Sequence, residues 1–116
     1  MSYDFDNSGT TRLSVATPIT TVPLTAACWF KVAADGSGNT LICFGNTSNQ
    51  ELFRLAAAMD VAGDPIRFRV TPTTGGNLDF GGGGPIALDT WYHAAMRASS
   101  VAQADRTVFL NGTKYT

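Results

Sequence analysis

With 116 residues, 44% of them hydrophobic and 15% charged, the chain has the make-up of one ordinary globular domain, neither disordered nor multi-domain. Eight basic residues stand against nine acidic ones, and the basic ones are scattered, so neither nucleic acid nor an anionic membrane is an expected partner. No run approaches the roughly 18 apolar residues of a membrane span.

Residues 3–6 alternate polar and apolar, meet the turn cluster Asn7-Ser8-Gly9, and resume alternation over 12–15. The chain enters this strand at once, without the basic and apolar regions of a signal peptide, which predicts no export by the general route. Cys28 and Cys43 then read as two free buried thiols, and the sequons at Asn46 and Asn111 as ordinary turns. A disulfide between the cysteines is open only if 27–32 and 41–44 form a hairpin. Pro18 and Pro23 demote the segment around them to an edge or loop, because proline cannot donate to a ladder. From 24 to 33 the run is long and apolar, with Cys28, Phe30 and Val32 on one face and Trp29 and Lys31 on the other; both faces are expected to be partly buried. Residues 35–39 form a loop and 41–44 the next strand.

Local rules conflict over 48–60. Ser48 and Glu51 make a capping box, and Leu52, Leu55, Ala56 and Met59 follow helical spacing. Phe53, Leu55, Ala57 and Met59 also alternate, and the strand reading is preferred despite alanine's helix propensity. Residues 66–70 are plainer, with Ile66, Phe68 and Val70 on a dry face and Arg67 and Arg69 on a wet, cationic one. Over 71–85 glycine and threonine dominate, with a short strand at 77–80. The run Gly81-Gly82-Gly83-Gly84 lacks the helix context of a phosphate cradle and reads as a flexible loop. Two further strands cover 91–97 and 107–110, and the second turns back through Asn111-Gly112, the strongest short-range hairpin signal. Alternation gives an inward set of Phe5, Leu13, Val15, Cys28, Phe30, Val32, Leu41, Cys43, Phe53, Leu55, Ile66, Phe68, Val70, Tyr92, Ala94, Met96, Val108 and Leu110, shared between two sheets about 10 Å apart.

Four stretches carry a resemblance: Tyr3-Asp4-Phe5-Asp6-Asn7-Ser8-Gly9, Ala26-Ala27-Cys28-Trp29-Phe30-Lys31-Val32, Trp91-Tyr92-His93-Ala94-Ala95, and Val108-Phe109-Leu110-Asn111-Gly112. In this order they resemble the laminin-G-like, concanavalin A-like lectin family, whose repeats commonly carry S-A-W-V-K, W-x-H-V-A and L-Y-V-N-G. The resemblance implies an all-β, antiparallel two-sheet jelly-roll sandwich occupying residues 1–116 as a single domain. It also implies structural places in the strand motifs for Trp29, Tyr92, His93, Asn111 and Gly112. Function does not follow from it, since lectins, adhesion modules, hydrolases and viral coat parts share the scaffold.

The family's glucanases need paired carboxylates on one strand, one protonated and one not. Here the sole glutamate is Glu51, with Phe53 and Leu55 two and four positions on, so no enzyme of that type is expected. His93 is the sole histidine and no G-x-S-x-G elbow accompanies it. The aspartates lie singly near turns, and although some family members bind calcium through rim loops, no ligand set can be matched here; no cofactor is expected. Trp29 and Trp91 are expected to pack in the core or between strands in preference to stacking on sugar. Arg67, Arg69, Trp91 and Arg97 are the candidates for contact with a ligand or another protein.

After Asn111-Gly112 the family continues with further strands near L-R-I-G and F-x-G-x-I-D-E-V-R-I-Y. This chain stops at Thr116. The expectation is a sandwich completed by further residues or by a neighbouring subunit. The functional expectation is a non-catalytic structural or binding protein on a virion or extracellular surface, of the bacteriophage head-decoration or fibre type, with neighbouring subunits as partners. The alternative is a carbohydrate-binding or adhesion module with glycans as partners.

Overall fold

A computed structural model describes residues 22–33, 39–45, 51–59, 62–63, 65–71, 78–100 and 105–115. The expected strands at 3–6 and 12–15, with Phe5, Leu13 and Val15, lie outside them. The described chain is all strand and turn: β1 Leu24–Lys31, β2 Asn39–Gly45, β3 Glu51–Ala57, β4 Pro65–Val70, β5 Leu78–Pro85, β6 Trp91–Ala98, β7 Arg106–Leu110 and β8 Thr113–Tyr115. They form two four-stranded sheets, ordered β1-β6-β7-β8 and β2-β3-β4-β5, with every pairing antiparallel. This is the open two-sheet sandwich of a concanavalin A-like jelly roll. Residues 51–57 are strand, as the alternation predicts, because β3 is held between β2 and β4 and tertiary pairing overrides alanine's helical preference.

Strand parity builds the core. Ile66, Phe68 and Val70 of β4 point inward, as do Phe53, Leu55 and Ala57 of β3. They meet Ala94, Met96 and Ala98 of β6 and Val108 and Leu110 of β7, with Phe30 and Val32 closing one end. Arg106 shares the inward parity of Val108 and is buried as well; removal from water pushes its guanidinium below the ordinary arginine value.

Three expectations need correction. Cys43 is exposed, and Ile42 and Phe44 pack against the core in its place. The reason is a register shift between Thr40 and Ile42, where β2 carries one residue more than β3 and parity inverts beyond it. Strands β1 and β2 lie in opposite sheets, so no hairpin joins the cysteines and neither forms a disulfide; burial pushes the half-buried Cys28 thiol up. Strand β1 is an edge strand among the described residues, and Thr25, Ala27, Trp29 and Lys31 are all exposed, so only one of its faces is dry.

The third correction concerns the glycine run, which belongs to strand β5 and is not a loop. Pro65 pairs with Pro85 and Arg67 with Gly81, so four residues of β5 are spanned against two of β4. This bulge brings the backbone of residues 82–84 against the opposite sheet. A Cβ on Gly82 would collide with the Ile66 carbonyl oxygen and come within 2.6 Å of Val108 Cγ1, and Gly83 and Gly84 lie directly under the Tyr115 ring.

The β7–β8 turn is fixed by residue chemistry. Asn111 sits at φ 48° and Gly112 at φ 80°, the left-handed pair that matches the twist of a two-residue hairpin. Asn111 N–H donates to the His93 carbonyl at 2.8 Å, and Asn111 Oδ1 accepts from His93 N–H at 2.9 Å, so one side chain extends the β6–β7 ladder by a step. Asn111→Ala removes this acceptor and strains the left-handed position. It is expected to cost about 2 kcal/mol in urea unfolding, with Asn111→Gly recovering about half because only the strain is relieved.

Candidate functional site

The outward residues of the first sheet form a surface whose layout follows from register. Lys31 stands opposite Trp91 and Trp29 opposite His93; Ala27 stands opposite Ala95 and Thr25 opposite Arg97. The rows continue across β7 and β8, with Phe109 beside Ala95 and Lys114 beside Phe109, and Thr107 beside Arg97. The small side chains of Ala27 and Ala95 make a floor. Trp29 and His93 stand at one end of it, Phe109 at its side and Arg97 at the other end.

Both tryptophans lie outside the core, at 68% exposure for Trp29 and 55% for Trp91, so of the two expected places, core or between strands, only the second applies, and it applies to Trp29. Cys28 and Phe30 take the inward positions of β1 and Tyr92 that of β6, which leaves their sequence neighbours on the other side of the pleat. Trp29 packs across the strands on His93, with ring centroids 5.2 Å apart and planes tilted by 58°. His93 in turn has its backbone tied to Asn111, so the indole rests on a fixed support. Tyr92 stacks on Phe30 at 5.7 Å, and its hydroxyl accepts a hydrogen bond from Ala87 N–H at 2.9 Å.

The turn before β6 sets where Trp91 emerges. Asp89 adopts φ 54°, a conformation aspartate tolerates, and its N–H donates to the Val32 carbonyl at 2.8 Å. Its carboxylate lies 3.9 Å from Lys31 Nζ, an exposed pair of small energetic weight. At the opposite end Asp105 accepts a 2.6 Å hydrogen bond from Ser100 Oγ, while Ser99 N–H donates to the Asp105 carbonyl. Each acid on this face is therefore engaged. The side chains of Arg97 and Lys114 make no ion pair or hydrogen bond among the described residues.

Arg67 and Arg69 face outward as expected, but on the other sheet, where they are half-buried beside Arg54. Arg54 stands directly opposite Arg69; strand assignment alone could not find it, because the pairing of β3 with β4 sets that neighbour. The structure thus separates the four candidates, placing Trp91 and Arg97 on the first sheet and Arg67 and Arg69 on the second. Phe109 and Lys114 join the first group through cross-strand register, which no single-strand pattern reveals.

His93 is flanked by an indole and an amide. Among the described residues no three His, Cys, Asp or Glu side chains cluster as metal ligands. What the face offers is flat aromatic surface, a small-residue floor and two uncommitted cations.

Residues 5–116 match the laminin-G model of the concanavalin A-like lectin/glucanases superfamily. The chain belongs to that superfamily. No curated protein and no solved structure matches it. Within the superfamily its two antiparallel four-stranded sheets make it a lectin-like β-sandwich. The paired carboxylates of its glucanase members have no counterpart around Glu51.

Proposed function

We propose that this lectin-like domain is a recognition module that takes carbohydrate on the outer face of the β1-β6-β7-β8 sheet. The observation that carries the reading is Trp29, two-thirds exposed yet held at 5.2 Å on His93. A large indole in water is a standing cost in unburied apolar area, and a pyranose, with its C–H groups on one face, is a ligand that relieves it. The Ala27 and Ala95 floor leaves room for a ring to lie against the sheet beside the indole. Trp91, 55% exposed and one row further along, extends the aromatic surface.

A glycan array followed by calorimetry on the strongest hit tests this. Trp29→Ala is expected to weaken binding at least tenfold, about 1.4 kcal/mol, with thermal stability nearly unchanged because the side chain is exposed. Equal affinity in the variant sinks the reading.

One observation favours a second reading, in which the domain is a surface component of a virus particle, such as a bacteriophage head-decoration or fibre protein. Trp29, Trp91 and Leu88 are its exposed large apolar side chains among the described residues, and a neighbouring subunit could cover the tryptophan-bearing face in an assembly. Native mass spectrometry separates the two readings. A symmetric oligomer that dissociates on Trp29→Ala, together with a silent array, supports the subunit contact.

A further inference from the structure

We infer that the saccharide taken by this face is acidic, with its ring over Ala27 and Ala95 and its carboxylate or sulfate on Arg97. The inference rests on the carbohydrate reading and adds the ligand's charge.

Trp29 and Thr25 are four residues apart on β1, about 13 Å at the usual rise of a strand, and Arg97 stands opposite Thr25. A short saccharide lying along the strands can stack on Trp29 and reach Arg97 with its far end. Between them are Ala27 and Ala95, and the hydroxyl-bearing Thr25 and Thr107 flank Arg97. Lys114 stands beside Phe109 on the same side of the floor.

Charge then decides the class. The face has an acid at each end: Asp89 lies against Lys31, and Asp105 is hydrogen-bonded by Ser100. Arg97, toward the Asp105 end, and Lys114, beside Phe109, are both exposed and their side chains have no ion pair among the described residues. A neutral sugar would leave them to water. An acidic one gives the planar guanidinium a two-oxygen acceptor, the geometry arginine matches best. The net charge of the chain is −1, so this local excess of positive charge runs against the whole.

The test uses the purified 116-residue chain and paired probes measured by calorimetry. Oligogalacturonate is set against its methyl ester, and dextran sulfate against dextran. At least one acidic member is expected to bind tenfold or more tightly than its neutral partner, with affinity falling as salt rises. Arg97→Gln is expected to erase that preference while leaving stacking on Trp29, and Arg97→Lys to restore part of it. The carboxylate and sulfate arms tell which anion is preferred.

Equal binding of acidic and neutral partners, abolished in both by Trp29→Ala, overturns the acidic assignment and leaves the carbohydrate reading standing. Binding to acidic probes that Arg97→Gln and Lys114→Gln leave unchanged also overturns it, placing the anion elsewhere, with the Arg54, Arg67 and Arg69 surface next to be substituted. Absence of binding to all four probes and across the array overturns both.

Discussion

Gly82→Ala is expected to destabilise the domain by about 3 kcal/mol, a drop in melting temperature on the order of 10 °C or more. The added methyl has nowhere to go. It would strike the Ile66 carbonyl oxygen, which is backbone of the neighbouring strand, and approach Val108 Cγ1, which is fully buried in β7. Neither is the far end of a flexible side chain, so relief requires β5 to move away from β4 or the two sheets to part. The control is Gly63→Ala. That glycine, unlike Gly82, is left-handed, at φ 89°, and has nothing within 4 Å, so its substitution carries only backbone strain of roughly 1–2 kcal/mol. If Gly82→Ala proves no worse than Gly63→Ala, the close approach of β5 to the opposite sheet is wrong.

The same glycines show where reading the chain residue by residue stops. Four consecutive glycines carry no side-chain pattern, so alternation has nothing to act on; the requirement at Gly82, Gly83 and Gly84 comes from Ile66, Val108, Leu110 and Tyr115, all distant in sequence. By contrast β4 and β7 were legible because each has one dry and one wet face, and Asn111-Gly112 was legible because turn geometry dictates its residues. Cys43 was misplaced by a bulge, a one-residue event that leaves no mark in hydrophobicity. Parity alone places Arg106 with Val108 and Leu110, but its charge argues for solvent, and packing won. For the tryptophans, family position left core and inter-strand packing open together, while strand parity set against Cys28, Phe30 and Tyr92 puts them outside the core. The binding face is harder still, because Trp29, Ala95, Phe109 and Arg97 become neighbours only once β1, β6 and β7 are in register.

Phe68→Ala is expected to cost 3–5 kcal/mol, a large share of the roughly 5–15 kcal/mol that holds a typical domain folded. Phe68 is 0% exposed on β4, an inner strand of the second sheet, with Leu55 opposite it on β3 and Phe80 on β5. Truncation loses the transfer energy of the ring and leaves a cavity that rigid neighbouring strands cannot close. At a urea slope of about 2 kcal/mol per molar, the midpoint should fall by roughly 2 M with the slope unchanged. Phe109→Ala offers the comparison: the same chemical change at a half-buried outward position should cost well under half as much. The pair also separates stability from recognition. Phe68 lies on the sheet opposite the Trp29 face, so wherever Phe68→Ala remains folded, its saccharide affinity should match that of the parent, whereas Phe109→Ala should weaken binding out of proportion to its small effect on folding. The reverse pattern would mean that the outer face of the first sheet is not the recognition surface.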